Sequence, residues 1–417
     1  MNKAIKSLRG FNDVLPQDSH LFNKTLRTLE DILEKYCINE IRTPYLESTA
    51  LFARGVGEAT DIVEKEMFSF TTNDQESVSL RPEGTAGAMR ACIEHGLSYN
   101  QEQRLYYFGP MFRYERPQKG RYRQFHQLGV EILGIRDPGL EAEVLLMNAE
   151  FWKALGISEY ITLEINTIGT SEARANYGKA LVSYLETYKE QLDADSQRRL
   201  TSNPLRILDS KDEKTQAVLA NAPVLEDFLD QESKDYFETL KEILTANGLD
   251  FVVNPKLVRG LDYYNDTVFE WTTTKLGAQA TVCAGGRYDR LVEILGGHAT
   301  PGFGFGLGYE RLLLLLEEVH GKQEAPHAQV FIINDGKVQA QSLKIALELR
   351  AAGIKVLNNL AGGKLKKQFA KADKSGAPQV IIVNEELVAQ GQVNVKHLAT
   401  GEQETVSLDT LVSKLKA

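Results

Sequence analysis

The stretch Gly302-Phe303-Gly304-Phe305-Gly306-Leu307-Gly308 constrains this chain more than any other. Side chains two apart on a strand share a face. Four glycines at alternate positions therefore strip one face bare, while Phe303, Phe305 and Leu307 load the other. A glycine-rich strand is weak by itself and marks a close approach to the backbone. A flat ligand over the bare face is the expectation. Tyr309-Glu310-Arg311 follows and opens the helix that carries Leu312–Leu316. A cation in a first helical turn opposes the macrodipole, and an anion in front of Arg311 would relieve that conflict.

Residues 105–134 read as two strands joined by Arg116-Pro117-Gln118-Lys119-Gly120. On the second strand Phe125, Gln127, Gly129 and Glu131 share one face, and Leu128, Val130 and Ile132 the other. The first strand likewise sets Arg113 and Glu115 together. A solvated sheet face is the commoner cause of such alternation, but Phe125 and Gly129 suit a wet surface poorly. Arg116, Lys119, Arg121 and Arg123 crowd the connection, and a phosphate-rich partner would hold them together. Arg259-Gly260-Leu261-Asp262-Tyr263-Tyr264 and Ala284-Gly285-Gly286-Arg287-Tyr288-Asp289 set tyrosines beside glycines and charges. That suits a small polar ligand, though a packed turn is the ordinary reading of each. Leu80-Arg81-Pro82-Glu83-Gly84-Thr85 is by itself no more than a turn.

Two common nucleotide folds are not supported. No G-x-G-x-x-G opens a βαβ unit here, and Gly363-Lys364 lacks the upstream glycine and the following Ser/Thr of a P-loop. With 417 residues, 42% apolar and 25% charged, the chain has the composition of a globular protein of two or three domains. No apolar run approaches the ~20 residues of a membrane span, and Lys3, Lys6 and Arg9 precede no apolar core of a signal peptide. Cys37, Cys92 and Cys283 are far apart, which argues against a disulfide framework or a zinc site and fits a reducing compartment. The net charge of −9 counts against nucleic acid, although a polyanion also responds to local clusters of cations.

Along the chain, Phe22, Leu26, Leu29, Leu33 and Tyr36 recur at helical spacing after Pro16. From Thr170 to Asn247 the pattern is helical, charged and sparsely apolar, as in an inserted helical domain. Strand signals return at Phe251–Val253 and Thr267–Trp271. Gly321 to Pro326 reads as a linker, and beyond it strands and helices alternate as in a separate small α/β domain. Lys355, Lys364, Lys366, Lys367, Lys371 and Lys374 cluster there.

Taken together and in this order, these stretches resemble the class II aminoacyl-tRNA synthetases, and within them the histidyl family. Pro44 after a long helix resembles motif 1, Phe112 to Pro117 through Phe125-His126-Gln127 motif 2, and Gly304 to Arg311 motif 3. The 259–264 and 284–289 stretches resemble the histidine-specific signatures, with Arg290 where that family usually has glycine. The resemblance implies an α+β fold with a six-stranded antiparallel sheet flanked by helices, a helical insertion and a C-terminal α/β anticodon-binding domain. The implied bounds are a catalytic core over 1–168 and 251–320, the insertion over 169–250, a linker over 321–328 and the anticodon domain over 329–417.

The resemblance further implies a cytoplasmic homodimer, with no membrane association, that joins L-histidine to tRNA(His) at the expense of ATP carried with Mg2+. It implies no protein-ligated metal. Arg259, Arg113 and Arg311 become the catalytic cations. Glu83, Gly84, Thr85, Arg113, Gln127, Glu131, Arg259, Tyr263, Tyr264 and Tyr288 become the histidine site. Arg113, Glu115, Arg121, Phe125 and Arg311 become the ATP site, with Phe125 stacked on adenine, and Arg116, Gln118 and Lys119 contact the tRNA acceptor end. The competing resemblance is to the non-catalytic, histidine-sensing regulatory subunit of ATP phosphoribosyltransferase. That type of chain loses the ATP arginines and the C-terminal domain, both of which are kept here.

Overall fold

A computed structural model describes residues 4–57, 60–277, 280–322, 328–360 and 362–416. The chain divides into two compact units, Met1–Gln323 and Glu324–Ala417. Most of the sequence-expected linker, residues 323–327, lies outside the described residues.

In the first unit, helix α1 (Pro16–Lys35) starts on a proline, whose fixed φ suits a first turn. Strand β1 (Asn39–Glu40) follows. Strands β2 (Leu46–Ser48), β3 (Phe68–Thr71) and β4 (Ser77–Leu80) make a small sheet of their own, with helix α2 (Thr49–Val56) after the first of them. Helix α3 (Thr85–Glu94) leads into the hairpin of β5 (Gln103–Phe112) and β6 (Gln124–Leu133). Helix α4 (Pro138–Ala154) and β7 (Thr162–Thr167) come next.

Then follow the inserted helices α5 (Ser171–Glu186), α6 (Ala194–Ser202), α7 (Glu213–Leu219) and α8 (Gln231–Ala246). Each opens on a side-chain cap: Thr170, Asp193, Asp212 and Asp230 accept from the backbone N–H three residues on. Such caps explain how helices with so few apolar positions begin where they do. The unit closes with β8 (Val252–Val253), β9 (Asn265–Thr272), β10 (Thr281–Arg287), α9 (Leu291–Ile294), β11 (Gly302–Gly308) and α10 (Tyr309–His320).

The large sheet runs β1-β5-β6-β11-β10-β9-β7-β8. Its six central strands are antiparallel, as the family resemblance implies. The structure adds a two-residue strand at each edge, and both pair parallel with their neighbours. One face is covered by α1, α4, α8 and α10, packed on Leu128, Val130, Ile132, Phe303, Phe305 and Leu307. The alternation read from the sequence thus turns Gln127, Gly129, Glu131 and the glycines of β11 to the opposite face. The inserted helices have no core to themselves. Phe237, Leu240 and Leu244 of α8 join the cluster behind the sheet, while Leu181 and Leu200 of α5 and α6 join one that contains Tyr263 and Tyr264.

The second unit is a five-stranded sheet in the order β13-β12-β14-β15-β16, made of β12 (Val330–Asn334), β13 (Val356–Asn358), β14 (Gln379–Val383), β15 (Gln392–His397) and β16 (Gln403–Ser407). Strand β12 pairs parallel on both sides and is buried throughout, as the apolar run Val330 to Ile333 requires. Helices α11 (Gln339–Ala351) and α12 (Leu365–Ser375) make the crossovers. Among the described residues, no helix is long and apolar enough to cross a membrane.

Arg287 of the second signature sits in the fold and not in an open site. It is fully buried, with Nε 2.6 Å from Glu141 Oε1 and Nη1 2.8 Å from Asp289 Oδ1. Tyr236 of α8 donates to the same Glu141 oxygen at 3.0 Å. Removing one member of such a pair strands the other charge, at a cost of about 3–5 kcal/mol. Arg287→Met should lower the unfolding free energy by about that amount in denaturant titration, and adding Glu141→Leu should recover part of the loss.

Candidate active site

The open face of the sheet carries a cavity of about 290 Å3. Of the residues marked by the sequence, Glu83, Thr85, Arg113, Glu115, Arg121, Phe125, Gln127, Arg259, Tyr263, Tyr264 and Arg311 line it. Gly84, Glu131 and Tyr288 do not, and instead form the layer beneath. Arg116, Gln118 and Lys119 stand exposed at the hairpin tip, outside the cavity.

The glycines of β11 do something other than the sequence suggests. A Cβ on Gly304 would collide with Glu131 Oε2, and one on Gly306 with Gln127 Nε2. The bare face is therefore covered largely by side chains of the adjacent strand β6, and only Gly306 and Gly308 reach the cavity. Gly84 and Gly129 work in the same way for Tyr107, whose ring would overlap a Cβ at either position. That ring brings the Tyr107 hydroxyl to within 3.2 Å of Glu131 Oε1. The Tyr288 hydroxyl donates to Glu131 Oε2.

Glu131 is fully buried, with the hydroxyls of Tyr107 and Tyr288 beside it and no ion pair among the described residues. Burial pushes its carboxyl up to about 8, against the opposing pull of the Tyr288 hydroxyl. Glu83 is also buried, and burial raises it too. Its two oxygens accept from the backbone N–H groups of Thr85 (2.7 Å) and Ala86 (2.8 Å), capping α3. The turn read from the sequence is thus a helix N-terminus closed by a glutamate. Gln127 Oε1 is buried with no partner among the described residues, which leaves an acceptor for a bound molecule.

Three cations, Arg113, Arg259 and Arg311, line the same cavity. Arg113 donates from Nε to the Pro82 carbonyl at 2.8 Å, and its guanidinium rests 5.3 Å from the Phe125 ring centre. Arg311 donates to the carbonyls of Gly120 (3.2 Å) and Thr281 (2.8 Å). These two carbonyls ease the dipole conflict that the sequence assigned wholly to an anion. Even so, burial and the nearby Arg113 and Arg121 bring Arg311 down to about 10. Arg259 is ion-paired with Glu270 and lies 5.8 Å from the Tyr264 ring centre. Glu270 also accepts from the Thr281 hydroxyl at 2.7 Å.

Neither Glu270 nor Thr281 was marked by the sequence, although one carboxylate within the apolar run of β9 was the available signal. Glu310 was likewise passed over. It accepts from the His126 backbone N–H at 2.8 Å and contacts His126 Nδ1 at 2.7 Å, pinning α10 to the start of β6. In the motif 2 connection, Glu115 pairs with Arg121, and Arg123 lies 3.7 Å from the Tyr114 ring centre. Two of the four crowded cations, Arg121 and Arg123, are therefore held internally, and Arg116 and Lys119 are left exposed. Arg290 is exposed, 3.8 Å from Glu293, and does not line the cavity.

Comparison with known proteins agrees with this geometry. A family profile described as histidyl-tRNA synthetase matches residues 10–312, and one described as anticodon binding domain matches residues 327–417. The crystal structure of apo histidyl-tRNA synthetase from S. aureus is similar at a TM-score of 0.82 and 38% identity, covering 99% of this chain and 100% of that one. Histidyl-tRNA synthetase from Nostoc sp. PCC 7120 is similar at 0.72 and 22% identity, over 99% of each chain. A Bacillus halodurans protein described as an ATP phosphoribosyltransferase regulatory subunit/histidyl-tRNA synthetase gives 0.67 and 22% identity, over 92% of this chain and 99% of that one. The last two speak to the fold alone.

The burial of Glu131 has a consequence for stability. Between its ordinary 4.5 and about 8, the unfolded chain is ionised there while the folded chain keeps the proton. The folded state then binds more protons, so this group's contribution to stability falls as pH rises through that window. Glu131→Gln cannot ionise. Its melting temperature relative to wild type should be higher near pH 8.5 than near pH 5, as read by thermal unfolding at the two pH values.

Proposed function

The chain belongs to the histidyl-tRNA synthetase family and is a histidine-tRNA ligase; from that premise we propose that its cavity holds L-histidine and ATP side by side. What carries this reading is the make-up of one cavity wall: Arg113, Arg259 and Arg311 line it together with Glu83, Gln127, Tyr263 and Tyr264. Arg113 and Arg311, with Glu115, Arg121 and Phe125, form the ATP site, where Arg113 yields its place over the Phe125 ring to adenine. Thr85 and the two tyrosines enclose histidine, over a floor set by Gly84, Glu131 and Tyr288. A floor of hydrogen-bonding groups is left unpaired by an amino acid of the wrong shape, so it discriminates strongly.

A histidine carboxylate oxygen attacks the α-phosphorus in line. The bond from that phosphorus to the bridging oxygen breaks, and pyrophosphate leaves with both electrons. The terminal ribose hydroxyl of the tRNA then attacks the carbonyl carbon, the bond from that carbon to the phosphate oxygen breaks, AMP departs with the electron pair, and the hydroxyl proton is released. No protein nucleophile enters either step. The protein supplies positioning and fixed cations where phosphoryl charge develops, Arg259 at the α-phosphate. Mg2+ would be carried in with ATP as part of that substrate, where it would offset phosphate charge.

We further propose that residues 1–168 and 251–320 form the catalytic core, with 169–250 as the insertion, 321–328 as the linker and 329–417 contacting the anticodon of tRNA(His). Arg116, Gln118 and Lys119 meet the acceptor end, supported by their exposure beyond the cavity. A homodimer built around Pro44 is supported by the exposed apolar side chains of Tyr45, Leu46 and Phe70. A cytoplasmic location is supported by the unpaired Cys37, Cys92 and Cys283. The regulatory-subunit reading is disfavoured by the three cavity arginines and by the C-terminal match to an anticodon-binding domain.

Two experiments test the roles. A unit charge ~4 Å from the reacting phosphate at an effective dielectric of ~20 is worth ~4 kcal/mol. Losing most of it costs about a thousandfold in rate. Arg259→Gln should lower histidine-dependent pyrophosphate exchange by about that factor with little change in melting temperature, and near-wild-type exchange would refute the role. Arg116→Ala and Gln118→Ala should leave exchange nearly intact while reducing aminoacylation of tRNA(His). Equal aminoacylation by the variants and the wild type would remove the acceptor-end assignment.

A further inference from the structure

The loop that joins Arg259 to Tyr263 and Tyr264 is gripped from outside the catalytic sheet. Asn203, at the C-terminal end of α6, donates from Nδ2 to Asp262 Oδ1 at 3.1 Å. The Arg206 guanidinium covers Gly260, where a Cβ would lie 3.0 Å from Nη1. On its other side the Asp262 side chain rests against Gly57, and the Asp262 N–H donates to the Val56 carbonyl at 3.3 Å. Beneath these polar contacts, Leu200 and Ile207 share one apolar cluster with Val258, Tyr263 and Tyr264. The inserted helices and the tyrosine wall of the cavity are therefore one packed body, tied at its rim by the Asn203–Asp262 hydrogen bond.

The two ends of the loop are not equally dependent on that tie. Arg259 has its own anchor, Glu270 on β9. Tyr263 and Tyr264 follow Asp262 directly in the chain. We propose that Asn203 is a positioning residue for amino-acid activation: by holding Asp262 it sets the Tyr263–Tyr264 wall against bound histidine. This rests on the histidine-site reading given above. It assigns the insertion a part in activation in addition to any contact with tRNA.

Loss of one hydrogen bond to a carboxylate at a half-exposed rim corresponds to about a three- to tenfold weakening. In pyrophosphate exchange by the full-length chain, Asn203→Ala should raise KM for histidine about three- to tenfold. KM for ATP and kcat should stay within about twofold, and so should KM for tRNA in aminoacylation. A general loss of structure would move all of these together. Asn203→Asp should be worse, because it sets two carboxylates face to face. Combining it with Asp262→Asn restores a donor and an acceptor in reversed order, so histidine KM should return toward wild type. An unshifted histidine KM in Asn203→Ala, or a swap that recovers nothing, would overturn the coupling. Absence of histidine-dependent exchange by the wild-type chain would instead remove the premise, and the coupling with it.

Discussion

Gly304 and Gly306 are bare so that Glu131 and Gln127 can lie flat across the sheet. Facing side chains on neighbouring strands start only ~5 Å apart, and long polar groups normally have to stand away from the sheet plane. When the neighbouring strand has no Cβ, they can bend over it and be packed from above. Gly84 and Gly129 repeat the arrangement for Tyr107, which then meets Glu131 from the opposite side. Four missing side chains thus create a floor made of carboxyl, amide and hydroxyl groups inside an otherwise apolar sheet. The two tyrosine hydroxyls and the Glu131 carboxyl hold one another in place, while Gln127 keeps an open acceptor.

The cations obey a different constraint. Arg113, Arg259 and Arg311 repel one another, and burial further penalises the charges of Arg113 and Arg311. Each is nonetheless fixed in place by an acceptor of the protein: the Pro82 carbonyl, the Glu270 carboxylate, and the carbonyls of Gly120 and Thr281. The fold therefore maintains an unfavourable concentration of positive charge, which a polyphosphate would relieve on arrival. Fixed charge of this kind acts at the moment of reaction without having to be reoriented. Glu270 has a clear place in that economy of charge. It offsets Arg259 directly and also acts on Arg311.

Much of this was legible in the sequence where a strict period was at work. The alternation of β6 and β11 fixed which side chains face the helices, and the family resemblance supplied the antiparallel order that periodicity alone does not contain. What was not legible depends on contacts between distant segments. Nothing in Leu80 to Thr85 announces that Glu83 closes a helix, because the cap is defined by the backbone beyond it. Nothing local marks Tyr107 either, because the room for its ring is made by Gly84 and Gly129, which are far apart in sequence. The glycine strand was read correctly as a close approach, but the approaching group proved to be the neighbouring strand more than a ligand. The motif 2 cations were overcounted, because Glu115 sits beside Arg121 and a charge count has no geometry.

The inserted helices follow from the topology of the sheet edge. Strands β7 and β8 pair parallel, and a parallel pair cannot be closed by a tight turn; it needs a crossover of a dozen or more residues. The insertion is that crossover, enlarged. Its return is stitched directly to the departing strand: the Asn254 N–H donates to the Ile165 carbonyl at 2.9 Å, and Asn166 Nδ2 donates to the Leu257 carbonyl at 3.0 Å. Arg259 comes only two residues later. The chain thus enters the first histidine-type signature straight from a clamp on the sheet, with α8 anchored behind that sheet and α5 and α6 packed beside the tyrosines. A crossover rooted on both faces cannot shift as a whole without disturbing either the sheet or the cavity wall. That double anchorage makes the insertion part of the site's framework, whatever else its outer surface meets.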